Sequence, residues 1–192
     1  MTSARTADSG FSLIELLISM LLFAVVITIV GSIILSALSA DRTVRDVTGS
    51  TTDGQLVVNV IEETVRNSTA VFVDPDADGA SVFAVARTTA GGAARCQAWF
   101  YDNEVGVIYE QSSGAMIVPP TPGAVGADWT QLSAGVAPID NGAGTVLPVI
   151  ALDGTRGLAL NFSVDGGAGV SSLFITSATG RAPQSNVSPA CF

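Results

Sequence analysis

The sequence contains no histidine and no lysine. Without histidine, Ser-His-Asp and Cys-His catalysis are excluded, and so is nearly every ordinary zinc site. Without lysine, positive charge rests on eight arginines against 17 acidic residues, for a net charge of −9. That balance disfavours nucleic acid as a partner, because phosphate-backbone binding depends on Lys and Arg displacing counterions. Only two cysteines are present, Cys96 and Cys191, too far apart for a Cys-x-x-Cys redox or metal motif. Phosphate loops are missing as well. Gly91-Gly92 and Gly166-Gly167 lack the Lys-Ser/Thr ending and read as turn glycines. Glu62-Glu63 reads as a solvated helix face rather than an acid–base pair. No enzyme class is supported by what remains.

Charge is also absent from Leu16 to Leu38. As a helix that run is roughly 34 Å long at about 1.5 Å per residue, against a hydrocarbon core of roughly 30 Å. A membrane span needs such a run, because a helix satisfies its own backbone where no water can. Glu15 stands just before it. A carboxylate costs about 2.5–3.5 kcal/mol at mid-bilayer and less near a helix end, so it either reaches the headgroups or meets a cation. A cut between Gly10 and Phe11 supplies that cation, since Phe11 then carries an α-amino group. Phe11 and Glu15 are four apart and share a helical face.

Gly10-Phe11-Ser12-Leu13-Ile14-Glu15-Leu16-Leu17, followed by the apolar run, resembles the class III signal sequence of type IV pilins and type II secretion pseudopilins. The resemblance implies that prepilin peptidase removes residues 1–10 and methylates Phe11. It implies that Glu15 is the assembly residue, pairing with the amino terminus of a neighbouring subunit. It also implies a cytoplasmic-membrane protein, single-pass with its head outside, that passes through the pilus assembly platform into a cell-surface filament of other pilin subunits. Many major pilins carry a proline midway along the membrane helix. This chain has Gly31-Ser32 there instead, which leans toward a minor pilin and offers a soft spot in the helix.

The expected fold is α+β: a long N-terminal helix, transmembrane and then amphipathic, packed on an antiparallel β-sheet head. Residues 11–38 form the transmembrane helix, 39–73 its amphipathic continuation, and 74–192 the β-rich extracytoplasmic head. Val44, Val47, Thr51, Gly54, Val58, Ile61 and Val65 recur at helical spacing and predict the buried stripe. Pro75 stops any helix by Asp74. Asp74, Asp76, Asp78 and Gly79 match the first half of an EF-hand loop, but the closing acid is replaced by Val85. Calcium at these three aspartates is a weak candidate, and no other cofactor is expected.

Further on, Arg95 to Tyr101 alternates, with Cys96, Ala98 and Phe100 on one face and Gln97, Trp99 and Tyr101 on the other. Asp102-Asn103 turns it into a second strand, Val105 to Glu110. Trp99 and Tyr101 suit core packing better than a sugar- or peptide-binding patch. The stretch from Ser112 to Gly144 reads as a long loop with one short strand near Trp129, and loops of that length are often functional. Leu147 to Leu152 is a strand. Leu158, Leu160, Phe162 and Val164 line one face of another, and Leu173-Phe174-Ile175 returns beside it. The tail from Gly180 is irregular. For a head outside the cell, a Cys96–Cys191 disulfide is the default. It would close a loop of about 95 residues and stabilise by up to ~4–5 kcal/mol in the chain-entropy model. Asn67, Asn161 and Asn186 begin glycosylation sequons by pattern only.

Two functions follow from this reading. The first is a structural filament subunit, a minor pilin, or alternatively a type II secretion or competence pseudopilin. The second is a tip adhesin or other binding minor pilin, which needs an exposed patch in the Ser112–Gly144 loops.

Overall fold

The computed structural model describes residues 12–75, 80–90, 93–167, 169–180 and 191–192. The chain divides into two compact units, Met1–Val44 and Arg45–Phe192. One helix, α1 (Leu13–Arg66), contributes to both. In the first unit it is the whole of the described structure. The helix runs through Gly31 and Ser32 without a break, and Ser32 Oγ donates to the Ile29 carbonyl at 2.8 Å.

The expected helix over residues 39–73 is too long. It ends at Arg66, and β1 (Ser68–Pro75) follows. Two causes act together. Asn67 closes the last turn, its side-chain Nδ2 donating to the Glu63 carbonyl at 2.9 Å, and Ser68 Oγ caps the Val65 carbonyl at 2.7 Å. Beyond them, Val71, Phe72 and Val73 favour a pleated surface.

The first sheet is an antiparallel meander of five strands in chain order. These are β1, β2 (Val82–Ala90), β3 (Ala93–Asp102), β4 (Val107–Ser113) and β5 (Thr130–Ala134). The second sheet comprises β6 (Val136–Pro138), β7 (Ile150–Asp153), β8 (Gly157–Asp165) and β9 (Ser171–Thr179). There β6 and β7 pair with opposite ends of β8, and β9 pairs with its full length. The hairpin expected to resume at Val105 resumes at Val107, because Gly106 takes a φ of 64° in the turn. The stretch from Ser112 to Gly144 holds two strands, β5 and β6, rather than one. The strand expected from Leu147 to Leu152 is shifted to Ile150–Asp153.

Two cores result. The main one joins Val57, Ile61 and Val65 of α1 to the inner faces of both sheets, including Trp99, Tyr101, Leu158, Leu160 and Phe162. Trp99 and Tyr101 are therefore packing residues, both buried. The expected helical stripe holds for the most part: Gly54, Ile61 and Val65 are buried, and Val47, Thr51 and Val58 are half-buried. Its buried centre is Ser50, Gly54, Val57, Ile61 and Val65, while Val44 stands 64% exposed. The second core lies on the other face of the first sheet, where Phe83, Val85, Cys96, Ala98 and Phe100 meet Ile117, Trp129 and Cys191. The first sheet is thus covered on both faces, which explains why both sides of β3 carry large apolar residues.

Candidate functional site

Among the described residues, no side chain in the apolar part of α1 is buried. Ile14, Leu16, Leu17, Leu21, Phe23, Ile27, Ile33 and Leu35 are all exposed. Exposing so much aliphatic surface to water is costly at roughly 25 cal/mol per Å², so this surface belongs in lipid or against other apolar helices. Several of the helix's hydroxyls bond to its own backbone. Ser19 Oγ donates to the Glu15 carbonyl and Thr28 Oγ1 to the Ala24 carbonyl, each at 2.8 Å. Thr43 Oγ1 does the same toward Ser39 at 3.1 Å. No hydroxyl of these three needs water.

Glu15 sits in the first turn of α1, where the Ser12 carbonyl accepts the amides of Glu15 at 3.0 Å and Leu16 at 3.2 Å. A carboxylate in that position complements the positive end of the helix dipole. Gly10 and Phe11 lie outside the described residues. So do Asp76 and Asp78. Asp74 is the penultimate residue of β1, opposite Phe83 of β2. Among the described residues, no three potential metal ligands come together.

In the second unit, Cys96 of β3 and Cys191 are bonded, with Cα atoms 5.3 Å apart. The bond carries Phe192 onto Phe72, their rings stacked with centroids 5.0 Å apart. The long loop has a packing role that its composition conceals. Trp129 meets the rings of Phe83 and Phe100 edge-on at 6.4 and 6.3 Å, and Ile117 is buried beside them. Asp102, itself buried, anchors the same loop. Its Oδ2 accepts the Gly123 amide at 2.8 Å and its Oδ1 the Glu104 amide at 3.0 Å. Burial, with the Asp102 charge next to it, raises the Tyr101 phenol above its ordinary pKa. Met116 and Val118 of the loop remain exposed and border an apolar groove with Phe72, Phe83 and Phe192. Asp102 as an anchor was not read from the sequence. An acid directly after an alternating strand and before Asn was its only local signal.

The site's chemistry is that of a membrane helix with one carboxylate at its start, joined in sequence to a disulfide-bonded β head. Residues 5–31 match the prokaryotic N-terminal methylation motif, which spans Gly10, Phe11, Glu15 and the apolar run as far as Gly31. That match supports a type IV pilin-like prepilin with a class III signal sequence. Its motif belongs to structural proteins, and motif and helix together fit membrane anchoring. No curated protein and no solved structure matched the chain.

Proposed function

We propose that the mature protein is a structural subunit of a type IV pilus or related filament, and within it a minor pilin. Prepilin peptidase cuts between Gly10 and Phe11 and methylates Phe11. The protein then waits in the cytoplasmic membrane as a single-pass precursor, head outside, until the assembly platform moves it into a filament. The observation that carries this reading is the exposed apolar surface of α1 with Glu15 at its start. In the bilayer, helices gain little from hydrophobic attraction to one another, so a pair between Glu15 and a subunit amine sets register. The missing helix proline supports a minor over a major subunit. A type II secretion or competence pseudopilin is the alternative within the same reading.

A binding role is the second reading. It is favoured by the exposure of Met116 and Val118 beside the apolar groove. The test of the first reading is mass spectrometry of the amino terminus in membrane and sheared-surface fractions. Methylated Phe11 in the sheared fraction is the expected result. A chain that keeps residues 1–10 and never enters polymers would overturn it.

A further inference from the structure

The head carries two exposed apolar patches on different sides. The first is on β9, the outer edge strand of the second sheet, which pairs only with β8 among the described residues. Ser172, Phe174 and Thr176 turn toward α1, meeting Ser50, Gly54 and Glu62. The odd-numbered side chains therefore point outward. Leu173 and Ile175 among them are 62% and 64% exposed, and no residue of β9 is charged. The second patch is a groove of about 270 Å³ on the outer face of the first sheet, lined by Phe72, Phe83, Met116, Val118 and Phe192. Asp74, exposed, is the only charged residue that lines it. The main core lies against the inner faces of both sheets, so the two patches face away from it in different directions.

Both patches lie at one level along α1. Ser68 Oγ donates to the Val65 carbonyl, and a Cβ on Gly180 would stand 3.2 Å from that same oxygen. β1 leaves this level and β9 arrives at it. At the other end, a Cβ on Gly166 would stand 2.9 Å from Ser50 Oγ, shortly before β9 begins. The far end of β1 reaches the same place. Pro75 pairs with Val82 and Val82 with Tyr101, whose hydroxyl donates to the Val136 carbonyl at 3.4 Å. Val136 in turn pairs with Val164, just ahead of Gly166. Both strands thus span the stretch of α1 between Val65 and Ser50. At about 3.3 Å per residue, Phe72 and Asp74 lie about 13 and 20 Å below the Val65 level, and Ile175 and Leu173 about 17 and 23 Å below it.

We propose that Leu173 and Ile175 of one copy seat in the groove between Phe72, Met116 and Val118 of a neighbouring copy whose α1 runs the same way. Copies held in one membrane share that direction. Pairing β9 with β9 would reverse one of the helices, whereas a contact between two different patches at one level keeps both. The contact is heterologous, so each copy offers one patch and receives the other, and the series closes into a ring or extends as a filament. Charge permits the approach. In a chain of net charge −9, β9 brings no charge to the groove, and Asp74 stays in water at its rim. Aliphatic side chains that leave water for a ring-lined groove supply the attraction. The inference rests on the filament reading, which supplies copies of one polarity, and it names the occupant of the groove.

The test is thiol cross-linking of the full-length protein in its own membranes with a short bifunctional reagent. Cys96 and Cys191 are already bonded, so introduced thiols report alone. Leu173→Cys co-expressed with a differently tagged Val118→Cys should give about tenfold more mixed-tag dimer than Leu173→Cys with itself or Val118→Cys with itself, because only the mixed pair is held together. Adding Ile175→Lys to the first copy should abolish the product, and adding Met116→Glu to the second should restore it. The Cys96–Cys191 bond still forms in each variant, which shows that the head has folded. Mixed dimer no greater than the like pairs overturns the proposal, as does cross-linking of Val118→Cys only to a different protein. The amino-terminal mass of membrane and sheared fractions separates the two failures. With methylated Phe11 in the sheared fraction and no mixed dimer, this contact alone falls; with residues 1–10 retained, the filament reading falls too.

Discussion

The ring of Phe174 lies on Gly54, so close that a methyl group on that glycine would overlap it. Phe174 also stacks on Phe162, with ring centroids 5.1 Å apart, so the ring has little room to retreat. Gly54 is thus a seat for a side chain from a strand far along the sequence. Thr176 Oγ1 to Glu62 Oε1, at 2.7 Å, ties the same two elements about two turns further along α1. Gly49 differs, having nothing within 4 Å of an added Cβ.

The two glycines should therefore respond with opposite signs. Gly54→Ala gains helix propensity but overpacks against Phe174, and we expect a net loss of about 1–3 kcal/mol. Gly49→Ala should gain up to about 1 kcal/mol. Thermal unfolding of the detergent-solubilised protein checks both, and a stabilised Gly54→Ala would show that the contact is loose.

At the start of α1, Glu15→Ala should insert normally, because it removes a charge from the edge of an apolar helix. Loss of the pair to the subunit amine should lower recovery in sheared filaments by about tenfold or more. Immunoblots of membrane and sheared fractions measure the two separately.

Removing the Asp102 carboxylate strands two backbone amides, those of Glu104 and Gly123. Asp102→Ala should cost about 1–3 kcal/mol. It should also release the loop before Trp129, making the 114–129 segment the first site of limited proteolysis. Cleavage unchanged from the parent would mean that Ile117 and Trp129 hold the loop alone.

Glu110 on β4 has its pKa raised by burial, an effect that the hydrogen bond from Gln97 opposes. A raised folded-state pKa contributes stability while the group is protonated, below its ordinary range, and that stability is lost as pH rises through the raised value. Glu110→Gln removes this loss. The variant should melt above the parent at neutral pH, and the gap should close as the buffer is taken below about pH 4. A gap that does not vary with pH would show that burial of the charge is not its source.

Breaking the Cys96–Cys191 bond frees Phe192 from Phe72 and uncovers part of the second core. Cys191→Ser should lower stability by about 2–5 kcal/mol. Adding a reductant to the parent should reproduce the shift, while the variant should not respond to it.

Much of the head was legible as strands. Leu158, Leu160, Phe162 and Val164 alternate so cleanly that β8 follows from period alone. Less was legible where partners are remote. Trp129 sits in a stretch rich in Pro, Gly and Ala whose local pattern indicates a loop, and only Phe83 and Phe100 make it part of a core. The helical stripe was read with the right period and caught Gly54, Ile61 and Val65, but it missed Ser50 and Val57 and included Val44, which looks as apolar as Val57 and is exposed. Which face is buried depends on β9, more than a hundred residues away in the chain.

By itself, the sequence determined the long apolar helix, the acidic residue at its start and the methylation motif over residues 5–31. These are properties of neighbouring residues: an unbroken apolar run, one charge beside it, and a short motif. Tertiary structure alone decided that Gly54 receives Phe174, that Asp102 holds the long loop, and that β9 stands uncharged at an open edge. Those depend on which segments meet across long loops, and local periodicity carries no record of such meetings because many partners satisfy the same pattern.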